Sequence, residues 1–265
     1  MPTTLPNELG FLAPIQTSDL IRVGSSNDGG YVVCKDAIQS ADALLSFGIS
    51  TNWAFEEHFR TLNPSAHIHA YDHTISELHF RRTYQKNLIR FIVGRQTWPL
   101  VLKSRATWKS YRSYFPKFAT HFEEEVHARY DGPYTATIDK VFSRVHGNRV
   151  FLKIDIEGSE YGIIDGILRY APNITGIAME FHSTYALRET FCAAIRKLQS
   201  AFYIVHIHPN NHGYIANDGL PNTLEVTLNA GLIPENARKR LSLPLIDLDC
   251  PNKAGYPEYA LNFPE

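Results

Sequence analysis

Asp155, Glu157 and Gly158 close an apolar run that begins at Val150. Residues 150–156 have the composition of a buried strand, and near-continuous apolar strands belong in the middle of parallel sheets. Lys153, Asp155 and Glu157 alternate with Ile154 and Ile156 and so share one strand face. Gly158 permits a tight turn, and a helical pattern starts at Ser159. Two carboxylates are thereby delivered to the carboxyl end of a central strand, the rim where open α/β sheets hold ligands. A buried charge there requires a partner, solvent or a ligand, because an isolated one is costly.

Other expected strand ends carry polar groups too. The first offers Ser46, Phe47 and Gly48 followed by Ser50, and the second offers Asp72. The fifth offers Glu180 and His182, and the sixth offers His206, His208, Asn210 and Asn211. A glycine turn after the first strand and an acid after the second suit a nucleoside, whose ribose hydroxyls donate to the acid. Asp72 equally suits a helix N-cap. The turn lacks the glycine pair that cradles a pyrophosphate, which favours a nucleoside without one. S-adenosylmethionine meets that description: ribose on Asp72, the methionine end over Gly48, and the sulfonium attracted by Asp155. Glu56 either lines the same pocket or lies on a solvated helix.

Methyl transfer to an alcohol needs a base, and His182, His208 and Asp155 are the candidates. Glu180, Asn210 and Asn211 are candidate acceptor contacts. Asp155, Glu180, His182 and His208 also form a mixed carboxylate and imidazole set that suits a divalent metal such as Mn, Fe or Zn. Base catalysis without a metal is the primary reading.

These residues must be positioned by alternating strands and helices. Strands are expected at 43–49, 67–71, 88–93, 150–156, 176–181, 202–208 and 224–228. Helices are expected at 52–62, 76–87, 137–145 and 187–199, so the fold class is α/β, with a parallel-rich sheet and helices on both faces. The chain reads as one domain over 1–265, with an N-terminal arm over 1–40. A long aromatic and basic segment, 96–134, reads as a helical insertion that covers the rim, makes a homo-oligomer contact, or is merely solvated. Glu123, Glu124 and Glu125 read as a solvated helical face. The proline-rich segment 243–265 is expected to wrap the surface.

The 265 residues include 26 Lys and Arg against 27 Asp and Glu, and this near-balance gives no global argument for a nucleic-acid partner. Cys34, Cys192 and Cys250 are far apart without metal-site spacing and fit a reducing compartment. No signal-peptide pattern or membrane-length apolar run is evident, so a cytoplasmic location is the default expectation.

The segment Lys153-Ile-Asp-Ile-Glu-Gly-Ser-Glu160 resembles the signature of FkbM-type methyltransferases. Matching pieces include Arg22-Val-Gly, Asp28-Gly-Gly-Tyr31, Ser46-Phe47-Gly48-Ile-Ser, Ala70-Tyr71-Asp72-His73 and the His206, His208, Asn210 and Asn211 group. Only the 96–134 insertion and the tail fall outside the likeness. The resemblance implies a Rossmann-like class I methyltransferase with a seven-stranded, mostly parallel sheet of order 3-2-1-4-5-7-6 whose last strand is antiparallel. It also implies S-adenosylmethionine as cofactor and O-methylation of a sugar, glycan or glycosylated small molecule. The rival readings are a non-catalytic nucleoside-binding scaffold and an RNA 2′-O-methyltransferase that binds through its basic insertion.

Overall fold

The computed structural model describes residues 3–264. Its centre is a seven-stranded sheet whose strands are numbered here in chain order: β1 (Ala43–Phe47), β2 (His67–Tyr71), β3 (Thr120–Phe122), β4 (Val150–Ile154), β5 (Ile174–His182), β6 (Phe202–Pro209) and β7 (Thr223–Ala230). Their spatial order is 3-2-1-4-5-7-6. β7 runs antiparallel to both β5 and β6, and the remaining pairs are parallel. Every residue of β1 and β4 is buried, as the apolar runs demand of strands covered on both faces.

Apart from a short helix at Lys35–Gln39, the α-helices are α1 (Ala54–Leu62), α2 (Glu77–Ile92), α3 (Trp98–Phe118), α4 (Ile138–Ser143), α5 (Glu160–Arg169) and α6 (Arg188–Leu198). Alternation splits each strand between two apolar layers. Leu45, Phe47, Leu152 and Ile154 pack with the apolar faces of α5 and α6. Leu44 and Phe151 pack on the opposite side with Phe55 and Phe59 of α1. Ser76 caps α2 by accepting the His79 N–H, and Thr137 caps α4 by accepting the Lys140 N–H. Asn52 accepts the Ala54 N–H at 3.2 Å at the start of α1.

Residues 20–24 and 30–34 form an antiparallel hairpin whose connection carries Asp28 and Gly29. Leu5, Leu9 and Leu12 of the arm are buried in the same layer as α5 and α6. The C-terminal segment returns to the arm, where Leu261–Asn262 pairs in parallel with Thr3–Thr4.

Two expectations require correction. Residues 88–93, read as the third strand, are the last turns and cap of α2. Their apolar side chains are not in the core: Ile89, Phe91, Ile92 and Val93 are exposed. The third strand is instead Thr120–Phe122, inside the segment read as an insertion. That segment holds α3, β3 and Glu125–Val126, which forms a two-residue ladder with Thr135–Ala136 just beyond it. The element that stands outside the sheet is the α2–α3 hairpin. Trp53 roots it at the rim, with its ring 5.9 Å from Phe80, 6.0 Å from Tyr111 and 5.5 Å from Phe115.

Candidate active site

The carboxyl ends of β1, β2 and β4 surround a cleft of about 400 Å³, within the size range of small-molecule sites. Gly48, Ser50, Asp72 and Asp155 line it, as do Asp28, Tyr71, Lys153 and Glu157. The β1 and β4 loops touch at the cleft floor. Gly48 has φ +76°, and a Cβ there would lie 1.7 Å from the Asp155 carbonyl oxygen. Only glycine admits that approach. Lys153 Nζ donates to the Gly48 carbonyl and lies 3.8 Å from the Asp155 carboxylate.

Asp72 spends both carboxylate oxygens on the protein. Oδ2 accepts from the Ile49 and Ser50 N–H groups at 3.1 and 2.8 Å. Oδ1 accepts from the Thr74 N–H at 2.8 Å and from the Thr74 hydroxyl at 2.5 Å. Burial alone would raise its pKa, but these four donors outweigh burial and hold the carboxyl below its ordinary value. Asp72 therefore fixes the shape of the β1 loop from the edge of the cleft.

Asp155, Glu180 and His182 lie together. Glu180 Oε1 is 3.7 Å from His182 Nε2, and Glu157 Oε2 is 3.5 Å from the same nitrogen. Burial raises Asp155 above the ordinary carboxylate range, against the pull of Lys153 and His182. Burial, with the charges of Asp155 and Glu225, raises Glu180 well above that range. His182 is pulled down by burial, but Glu160, Glu180 and Asp155 outweigh that and bring it to about 9.

Glu160 was not singled out from the sequence as a site residue. It is fully buried at the start of α5. Its Oε1 accepts from the Ile156 and Gly158 N–H groups at 3.3 and 3.0 Å and contacts His182 Nδ1 at 2.9 Å. It orients the imidazole so that Nε2 faces the acidic centre. The signal was present: Glu160 closes the same motif that carries Asp155. Tyr31 was also missed. Its ring is buried, its hydroxyl has no hydrogen-bond partner among the described residues, and burial and the nearby acids raise its pKa.

Other expected residues lie elsewhere. Ser46 and Glu56 are fully buried behind the turn, where the Ser46 hydroxyl donates to Glu56. Phe47 is core, and only its carbonyl reaches the rim, accepting from the Asp155 N–H at 2.9 Å. His208 does not join the expected base or metal set. It faces Glu225 across the β6–β7 register, with Nδ1 at 3.0 Å, and Nε2 lies 3.1 Å from Glu258 of the tail. Burial lowers its pKa, but Glu225 and Glu258 raise it more, to about 10, which makes it a held cation and a poor base. His206 lies 3.1 Å from Asp249. Asn210 donates to Glu180 at 2.8 Å, so it supports the site from behind. Asn211 donates to the Pro257 carbonyl at 3.1 Å and accepts the Lys253 N–H at 2.7 Å, which ties down the tail. Glu124 is not solvated: Arg144 grips it with both terminal nitrogens, at 2.5 and 3.0 Å, and Lys140 lies 3.1 Å away.

The sheet order and the acidic rim cleft define a Rossmann-like methyltransferase fold. Residues 26–215 match the methyltransferase FkbM domain, and the chain belongs to that family of S-adenosylmethionine-dependent methyltransferases. No curated protein matches it. Among solved structures, it is similar to the Methanococcus jannaschii fibrillarin pre-rRNA processing protein (9% identity, 74% of this chain and 69% of that one, TM-score 0.39). It is also similar to a precorrin-6y C5,15-methyltransferase from Geobacter metallireducens (13% identity, 74% and 83%, TM-score 0.37). A third similar structure is M. capricolum TrmK in complex with S-adenosyl-homocysteine (10% identity, 82% and 72%, TM-score 0.36).

Proposed function

We propose that this chain transfers a methyl group from S-adenosylmethionine to a hydroxyl of a sugar, glycan or glycosylated small molecule. The observation that carries this reading is the Glu160–His182 pair, whose Nε2 lies 3.5 Å from Glu157, a carboxylate that lines the cleft. The cleft suits the cofactor, because Asp28, Asp155 and Glu157 face a ligand that carries a positive sulfur. When bound, S-adenosylmethionine supplies an electrophilic methyl group. Asp72 presents the β1 loop and the edge of its carboxylate to the ribose. The Gly48 turn admits the methionine end, and Asp155 favours the sulfonium.

His182 is the proposed base. Sharing Asp155 and Glu180 with a cationic ligand weakens its hold on its own proton, so the neutral imidazole becomes available at lower pH. Its Nε2 then accepts the acceptor's hydroxyl proton while Glu160 holds Nδ1. Such a base contributes about 10²–10⁴-fold. The test is methyl transfer to a panel of sugars, with His182→Ala assayed beside wild type. Cofactor-induced thermal stabilisation that survives in a variant slowed by that factor supports the assignment. Undiminished turnover removes His182 from it.

A divalent ion is a second reading, favoured by ligand atoms of Asp155, Glu157 and His182 that lie within 4.8 Å of one another. Calorimetric titration of the protein with Mn²⁺ and Zn²⁺ decides it: heat lost in Asp155→Asn supports an ion there, and the absence of heat in wild type rejects it.

A further inference from the structure

The α2–α3 hairpin stands out in charge. Residues 77–118 hold ten lysines and arginines against one acid, Glu77, while the whole chain is at -1, so the remainder is strongly acidic. All ten basic side chains are exposed. The hairpin's far end is apolar: Ile89 is 62% exposed, Ile92 73%, Val93 59% and Trp98 47%. No residue from Leu88 to Leu100 is buried. An apolar tip ringed by Lys86, Arg90, Arg95, Lys103 and Arg105 is not an ordinary solvated surface.

The topology shows where the tip points. α2 starts just after the rim residue Asp72, and α3 ends one residue before β3, beside the amino end of β2. Glu77 pairs with Arg112, and Phe80 packs on Tyr111, both at the level of Trp53. Tyr84 then stacks on Trp108, and Phe91 packs on Trp98 further out. The residues beyond Phe80 and before Tyr111 therefore project past the carboxyl rim, on the cleft side. The twelve steps from Phe80 to Ile92 reach about 18 Å along the helix.

We propose that this hairpin tip docks on an anionic lipid surface. The apolar side chains would enter the acyl boundary and the cationic collar would meet the headgroups, the division of labour of interfacial helices. No helix among the described residues is long and apolar enough to cross a bilayer, so the tip lies on the membrane. Charge disfavours a second copy as occupant, since a twofold contact would set two strongly basic hairpins against each other. RNA is disfavoured by the tip's chemistry. Its aliphatic residues offer no stacking surface, and its two aromatic rings, Phe91 and Trp98, already pack on each other at 5.1 Å. Docked this way, the cleft faces the membrane. On the reading above, that favours an acceptor carried on a lipid; the docking itself does not depend on that reading.

The test is co-sedimentation of the full chain with vesicles of phosphatidylcholine alone or of equimolar phosphatidylcholine and phosphatidylglycerol. Binding to the anionic vesicles only, weakened by added salt, is expected. Two variants separate the contributions: Ile92→Asp, and Arg90→Glu with Arg95→Glu and Lys103→Glu. Each should weaken vesicle binding about tenfold or more with the thermal midpoint unchanged, because the side chains are exposed. Methyl transfer to a soluble acceptor should persist in both. Four results would overturn the proposal: equal pelleting with both vesicles, no pelleting, full binding by the charge-reversed variant, or tighter binding of a short single-stranded RNA that competes with vesicles. A dimer in light scattering that Ile92→Asp dissociates would overturn it as well.

Discussion

Glu160→Gln tests the origin of the charge on His182. The variant keeps the shape and an oxygen to accept from the Ile156 and Gly158 amides, but removes the charge 2.9 Å from Nδ1. A hydrogen bond to a charged partner contributes about 1.5–3 kcal/mol, and one pKa unit corresponds to about 1.4 kcal/mol. Removing that charge should therefore lower the imidazole by about one to two units, from about 9 toward about 7. Histidine-selective NMR titration of the ligand-free protein reads this directly. The sign of the stability effect follows. A histidine raised in the folded state contributes stability fully present below its unfolded value of about 6.5 and lost as pH rises through about 9. His182 is 20% exposed, and its shift corresponds to about 3 kcal/mol at most. Glu160→Gln should flatten wild type's decline in thermal stability across that window. An unchanged His182 titration in a folded variant would refute the reasoning and leave Asp155 and Glu180 as the source of the shift.

Three further perturbations follow from the rim. Gly48→Ala would place a methyl group 1.7 Å from the Asp155 carbonyl at φ +76°, so the β1 and β4 loops must separate; a loss of roughly 3 kcal/mol or more, read by denaturant unfolding, should come with loss of cofactor-induced stabilisation. Asp72→Asn opposes its new NH₂ group to existing N–H or O–H donors, so it should cost about 1–3 kcal/mol at neutral pH, and wild type's advantage should vanish in acid as pH falls through the depressed Asp72 pKa. Glu180→Gln retains an acceptor for Asn210 and removes a carboxyl whose charged form burial, Asp155 and Glu225 disfavour, so its melting temperature should equal or exceed wild type's, with the gap widening as pH rises above about 4.3.

The parts of the fold legible in the sequence were those where burial and chain chemistry agree. β4 announced itself by an apolar run, broken only by Lys153, that ends at acids and a glycine; β1 and β5 did so by similar runs, and β2 by its alternation of Ile68 and Ala70 with polar neighbours. The strand order was legible through the motif's resemblance to a known family. β3 was not legible, because a three-residue strand with half-buried side chains has neither length nor periodicity. Its place was given to residues 88–93, whose apolar run imitates a core strand. That error has a physical cause, since hydrophobicity reports a preference to leave water and does not say what provides the cover. In the candidate site, Asp155 and His182 could be placed near one another because they end neighbouring strands. His208 was misplaced because the acids that capture it, Glu225 and Glu258, arrive from β7 and from the tail, at separations of 17 and 50 residues that spacing cannot reveal.

The same rim concentrates what the rest of the fold avoids. Among the described residues, the three non-glycine residues with positive φ are Ser50, Glu157 and Ser183, at 46°, 54° and 55°. Each follows one of the neighbouring strands β1, β4 and β5. Such a conformation costs of order 1–3 kcal/mol and persists only where the surroundings over-determine it. Here the surroundings are identifiable. Asp72 accepts the Ser50 amide, Glu160 accepts the amides on either side of Glu157, and Thr184, next to Ser183, donates its amide to the Asn222 carbonyl at 3.0 Å. The buried acids Asp155 and Glu180 add a second cost, because their charged forms are disfavoured as the protein stands. A cationic ligand relieves that cost, whereas a neutral or anionic one does not. On the proposed function, strain and buried acids at the ends of adjacent strands therefore favour a positively charged cofactor in the cleft before any contact with the rest of the ligand is considered.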